Sequence, residues 1–234
     1  MKIKYVFFDC WDTLIQFTRQ DAKDDARVIY EYITNKDKMS FDEFGDKFKS
    51  IITEYYLTTK FEVNFSQIIN YLLVDNELTS DLSVEELAEK VALSWKPKEV
   101  EGVRDFLKYL DSQNIRYSVV SNTIQTHAQT ERYLRNVFKD DFNFERIFAS
   151  SDYAVKKPNP RFYLLAAHVL HLDPKEILFI GDRYDADCVG PSKANMNPCL
   201  INWKKRQFEH KEEVEHLEFT SYKDIEEYLR KENN

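Results

Sequence analysis

The sequence predicts an α/β fold: a Rossmann-like parallel sheet core with helices on both faces, plus an inserted all-helical domain. Three observations predict it. An apolar run near the start, Tyr5 to Phe8, reads as a buried strand. From Gln20 to Trp95 apolar residues recur at helical spacing and no strand pattern appears. After Pro97, short apolar runs alternate with amphipathic helices, the pattern of parallel strands covered on both faces.

In the helical stretch, Ala26, Ile29, Tyr30 and Ile33 share one face. A second helix carries Phe41, Phe44, Phe48, Ile51, Ile52 and Tyr55 behind a capping box, Ser40 with Glu43. Phe65, Ile68, Ile69 and Leu72 mark a third. Val84, Leu87, Ala88, Val91 and Trp95 mark a fourth behind Ser83 and Glu86. Four such helices can close a small bundle. Beyond Pro97, helices around Phe106, Leu134, Phe162 and Asp185 precede the strands "IRYSVV", "RIFAS", "ILFI" and "PCLIN". The first strand has no helix partner of its own before the bundle, so it belongs to this sheet. The expected organisation is a core of residues 1–16 and 97–234 with a helical cap of residues 17–96. The terminal "KENN" is expected to fray.

The 234 residues are 43% hydrophobic and 32% charged, ordinary for a folded protein with an ample core. A net charge of -8 opposes nonspecific binding to nucleic acid or to an anionic membrane. Three cysteines without framework spacing point to a reducing compartment. No apolar run approaches the roughly 20 residues of a membrane span, and the first apolar run is too short for a signal-peptide core. A cytoplasmic protein is expected. Only 4 glycines occur, which suits a helix-rich chain. Oligomeric state leaves no signature.

In open α/β sheets, ligands bind outside the carboxyl ends of the strands. The residues at those ends are Asp9 and Thr13, then Ser121-Asn122-Thr123, then "KKPNP" with Lys157, then "GDRYDAD" with Gly181, Asp182 and Asp187. Asp9 and Asp182 would repel if brought together, and Mg²⁺ on their carboxylate oxygens resolves the conflict. Lys157, Ser121, Asn122, Thr13 and backbone N–H groups would hold the oxygens of a phosphate.

Four ordered motifs, "DCWDT", "SNT", "VKKPNPRFY" and "GDRYDAD", each at a strand end, resemble those of the haloacid dehalogenase-like (HAD) hydrolase superfamily. The helical insertion sits where that superfamily places its caps. The resemblance implies Asp9 as the nucleophile of an aspartyl-phosphate mechanism, with Ser121 and Lys157 binding the transferring group. It implies Mg²⁺ held by Asp9, Asp182 and the main-chain carbonyl of Trp11, with Asp187 orienting the metal or its waters. The implied partner is a small phosphorylated or otherwise anionic molecule.

Trp11 departs from the phosphatase pattern, which has an aspartate there to protonate the leaving group. Indole cannot replace it, and general acid–base help of this kind is worth about 10²- to 10⁴-fold. The dehalogenase branch also lacks that aspartate and often has an aromatic residue. Three readings therefore stay open: a Mg²⁺-dependent phosphatase-type hydrolase, a 2-haloacid dehalogenase, and a degenerate binding protein. The aspartates of "GDRYDAD" favour the first.

Other residues have plainer expectations. Cys10 reads as a buried strand cysteine. His127, Arg19 and Arg27 read as solvated, and so does the basic run "NWKKRQ". His168 and His171 lack further ligands for a metal. Phe41, Tyr55 and Phe65 read mainly as bundle core.

Overall fold

A computed structural model describes residues 3–17, 23–208 and 213–232. Along the chain, β1 (Tyr5–Phe8) leads through β2 (Ile15–Gln16) into four helices: α1 (Lys23–Tyr30), α2 (Phe41–Thr58), α3 (Phe65–Asp75) and α4 (Val84–Ser94). The chain returns through β3 (Lys98–Glu99), α5 (Val103–Ser112), β4 (Arg116–Ser121), α6 (His127–Phe138) and β5 (Ile147–Ala149). Then follow α7 (Ser150–Tyr153), α8 (Pro160–Val169), β6 (Ile177–Gly181) and a widened turn at Tyr184–Val189 running into α9 (Gly190–Lys193). β7 (Asn197–Ile201), β8 (Leu217–Phe219) and α10 (Tyr222–Glu232) close the fold.

The six-stranded sheet has the order β5-β4-β1-β6-β7-β8, and every pairing in it is parallel. Both faces are covered, which is why β1 is a continuous apolar run. Its side chains alternate between two cores. Val6 and Phe8 pack with the α5 and α10 residues Phe106 and Tyr222, while Tyr5 and Phe7 pack with Phe162 and Tyr163 of α8. Phe8 pairs in register with Val119 and Ile180, so the carboxyl ends of β1, β4 and β6 lie side by side.

The four helices of the insertion pack through Phe44, Phe48, Phe65, Ile69, Leu72, Leu87 and Val91, all buried. Both expected capping boxes form, at Ser40–Glu43 and Ser83–Glu86, and a third forms at Asn64–Gln67. One expectation fails. Ile33 is not on the first helix, which ends at Tyr30; it is buried through an antiparallel bridge to Ser80. Two crossings join insertion and sheet, and they lie together because β2 and β3 pair antiparallel, Ile15 opposite Glu99. α10 keeps Tyr222, Ile225 and Leu229 at helical spacing, whereas β8 shows no period. β8 is three residues long, too short for a period to show.

Candidate active site

Asp9 leaves β1 at the sheet's carboxyl edge, where its backbone N–H donates to Ile180 O (2.9 Å). The chain then turns sharply. Asp12 takes a left-handed φ of 58°, which aspartate tolerates better than bulkier residues do. The turn tucks Thr13 fully inside, with Oγ1 3.5 Å from Asp9 Oδ2 and its carbonyl accepting from Tyr222 OH (2.8 Å). From the end of β4, Ser121 Oγ donates to Asp9 Oδ1 across 3.4 Å.

Lys157 is buried with its Nζ 2.7 Å from Asp9 Oδ1 and 2.7 Å from Asp187 Oδ1. Asn122 fixes that lysine. Its Nδ2 donates to Lys157 O (2.9 Å) and its Oδ1 accepts from Lys157 N (2.7 Å). The polar atoms of the Asn122 side chain thus hold the main chain of Lys157. Asp187, wholly buried in the turn after β6, accepts from Arg183 N (2.9 Å). A Cβ added to Gly181 would stand 2.2 Å from Asp187 Cγ. Gly181→Ala should therefore push Asp187 aside and destabilise the protein by about 1–3 kcal/mol, read as a lower Tm.

Asp182 follows β6 and is 6% exposed. Carboxylate oxygens of Asp9, Asp182 and Asp187 come within 4.8 Å of one another. This crowding shows in the acidities of Asp9 and Asp182. Burial, joined by the charge of Asp187 and partly offset by Lys157, pushes the Asp9 carboxyl up. Burial, then Asp9 and Asp187, push Asp182 up to about 7 against the pull of Arg206. For Lys157, burial favours the neutral amine, but Asp187 and Asp9 outweigh it and the ammonium is held above its ordinary range. The cluster carries more negative charge than its local cations balance. The donor set is all oxygen, so it suits a small hard dication.

These groups open on a cleft of about 290 Å³, lined also by Trp11, Asp12 and Asn122. The indole of Trp11 packs in an aromatic group with Phe17 (ring centroids 4.7 Å apart), Trp95 (5.6 Å) and Tyr133 (5.8 Å). Phe17 and Trp95 belong to the two crossings between sheet and insertion. The residue in the expected acid position is thus packed against the two crossings.

The run "NWKKRQ" is not the wholly solvated loop expected: Lys205 and Gln207 are exposed, but Trp203, Lys204 and Arg206 reach the site. Trp203 Nε1 donates to Asp12 O (2.7 Å), Lys204 pairs with Asp12 (2.5 Å), and Arg206 pairs with Asp12 (2.8 Å) and with Asp182. Net charge and run length hid this. The strand-end rule itself held the signal, because the run follows β7 at the same carboxyl edge. Elsewhere, Cys10 is buried. His127 is exposed and pairs with Asp152 (2.8 Å). Arg27 lies exposed over the Phe41 ring (4.3 Å), and Arg19 lies outside the described residues. The rings of His168 and His171 stand 6.5 Å apart at the far end of α8.

The haloacid dehalogenase-like hydrolase family model matches residues 3–195. A glyceraldehyde 3-phosphate phosphatase of Pyrococcus abyssi is 28% identical over 206 residues, 87% of this chain and 83% of that protein. Among solved structures, a 2-haloacid dehalogenase from Pseudomonas syringae pv. Tomato superposes with a TM-score of 0.70 at 18% identity, covering 98% of this chain and 99% of that one. A HAD phosphatase from Thermococcus onnurineus superposes at 0.67 with 19% identity, covering 98% of each chain. At such identities the superpositions speak for the fold, and phosphatase and dehalogenase share it. With the family model spanning most of its length and the four motifs converging at one sheet edge, this chain belongs to the haloacid dehalogenase-like hydrolases.

Proposed function

We propose that this hydrolase is a Mg²⁺-dependent phosphatase-type enzyme acting on a small phosphorylated molecule through an aspartyl-phosphate on Asp9. The observation that carries this reading is Asp182, set beside Asp9 and Asp187 with oxygens within 4.8 Å. Displacement of halide needs neither a metal nor a second carboxylate, and that carboxylate would repel an anionic haloacid. The phosphatase name of the Pyrococcus abyssi relative agrees with the substrate class.

In this mechanism a carboxylate oxygen of Asp9 attacks phosphorus. The bond to the leaving oxygen breaks with its electron pair, and water then hydrolyses the acyl phosphate. Lys157, held by Asn122 and Asp187, offsets charge on the phosphoryl oxygens, and Ser121 and Thr13 donate to oxygens around the same centre. Asp9, Asp182 and the Trp11 carbonyl would hold Mg²⁺, with Asp187 orienting it; when bound it would supply electrostatic stabilisation of the transferring group. The helical residues 17–96 form a cap over a core of residues 1–16 and 97–234 and select the substrate. Among the described residues no helix is long and apolar enough to cross a membrane. We place the enzyme in the cytoplasm, with no nucleic-acid or membrane partner.

Asp182→Asn tests the reading. Calorimetry should show Mg²⁺ affinity falling by about 10²-fold. Unchanged affinity would remove the metal site, and metal-independent turnover of a 2-chloroacid would put the dehalogenase reading in its place.

A further inference from the structure

Arg206 reaches the cleft from a loop built to present it. Asn202, 8% exposed, brackets the Arg206 main chain: its Oδ1 accepts from Arg206 N (2.8 Å) and its Nδ2 donates to Arg206 O (3.0 Å). The same Nδ2 donates to Glu218 Oε1 (2.9 Å), and Trp203 anchors the loop on Asp12 O (2.7 Å). The guanidinium then divides between two carboxylates, with Nη1 on Asp182 Oδ2 and Nη2 on Asp12 Oδ2 (2.8 Å). Lys157 contacts Asp9 and Asp187 instead, so the charge compensation at Asp182 comes from Arg206.

We propose that Arg206 is a tethered counter-ion that a divalent cation must displace from Asp182, so that this loop sets the metal affinity of the site. The inference rests on the reading of Asp9 and Asp182 as a Mg²⁺ site. Mg²⁺ needs short, direct contact with carboxylate oxygen, and a guanidinium on Asp182 Oδ2 competes for that oxygen and repels the incoming charge. Displacement need not cost the loop its place. Arg206 can release Asp182 while Nη2 keeps Asp12, and its side chain is 36% exposed, which leaves room to turn. The site is thereby partly charge-compensated before metal arrives, and its affinity is lower than three clustered carboxylates alone would give.

Calorimetric titration of MgCl₂ into the full chain tests this. Arg206→Gln should bind Mg²⁺ about tenfold more tightly than wild type. Arg206→Lys, which keeps the charge, should stay within about threefold. Lys204→Gln, which removes a cation from Asp12 but not from Asp182, should stay within about twofold. A mutation-free readout guards against a misfolded variant. In ¹⁵N NMR of wild type, the Arg206 guanidinium signal, assigned with Arg206→Lys, should shift on Mg²⁺ saturation as it leaves Asp182. If Arg206→Gln binds Mg²⁺ no more tightly, or the guanidinium signal stays put, while Asp182→Asn loses binding, the counter-ion inference fails and the metal site stands. If Asp182→Asn binds as wild type does, or no variant binds Mg²⁺, both fall together.

Discussion

Asp9→Asn is expected to abolish hydrolysis, lowering kcat by at least about 10⁴-fold, because an amide cannot attack phosphorus. The substitution is nearly isosteric, so the loss will not come from unfolding. Lys157 keeps its pair with Asp187 (2.7 Å), Ser121 can still donate to an amide oxygen at the Oδ1 position, and Thr13 Oγ1 can accept from the amide NH₂ that replaces Oδ2. Stability should hold or rise slightly. Burial raises the Asp9 carboxyl against the pull of Lys157, so its ionisation costs free energy in the folded state, and an uncharged amide escapes that cost. Two measurements separate the explanations. Thermal melting should give a Tm at or above that of wild type. A beryllium fluoride adduct, which mimics the aspartyl-phosphate, should form on wild type and not on the variant. A folded Asp9→Asn protein that retained turnover within tenfold would end the proposed mechanism, since no neighbouring carboxylate stands on both Lys157 and Ser121 as Asp9 does.

The parts of this site that could be read from sequence follow from one geometric rule. β1, β4 and β6 are in register, so residues just past each strand must share an edge, and Asp9, Ser121 and Asp182 meet there. The helical insertion was legible because Phe44, Phe48, Leu87 and Val91 keep a helical period behind recognisable caps. What stayed hidden depends on contacts between distant residues. The Asn122 amide fits the Lys157 backbone 35 residues away. Arg206 lies 194 residues from Asp12, and no local pattern encodes that pairing. The orientation of Trp11 was equally invisible, because it depends on Phe17, Trp95 and Tyr133 arriving from three other segments.

Trp11 carries the second large expected effect. Its indole faces the aromatics of the two crossings and offers no acid, so a leaving group must depart as its anion. Asp12, the next carboxylate along, does not supply the proton, since Lys204 and Arg206 both occupy it. Nitrophenolate, or a carboxylate leaving from an acyl phosphate, departs readily without help. An alkoxide, whose conjugate acid is far weaker, loses most of the roughly 10²- to 10⁴-fold acid term. Wild type should thus favour an aryl over an alkyl phosphate in kcat/KM well beyond the preference of an enzyme with an aspartate at this position. Trp11→Asp should raise alkyl-phosphate kcat/KM by up to about 10²-fold while changing the aryl value far less. The variant also loses the partly buried contacts of Trp11 with Phe17 and Trp95, which should cost about 1–3 kcal/mol, so turnover must be compared below its lowered Tm. The ratio of the two kcat/KM values decides the matter, because lost stability scales both alike and only a new proton donor moves them apart. A wild type that cleaves alkyl and aryl phosphates equally well would overturn this account, because it would show that another group supplies the proton in spite of Trp11.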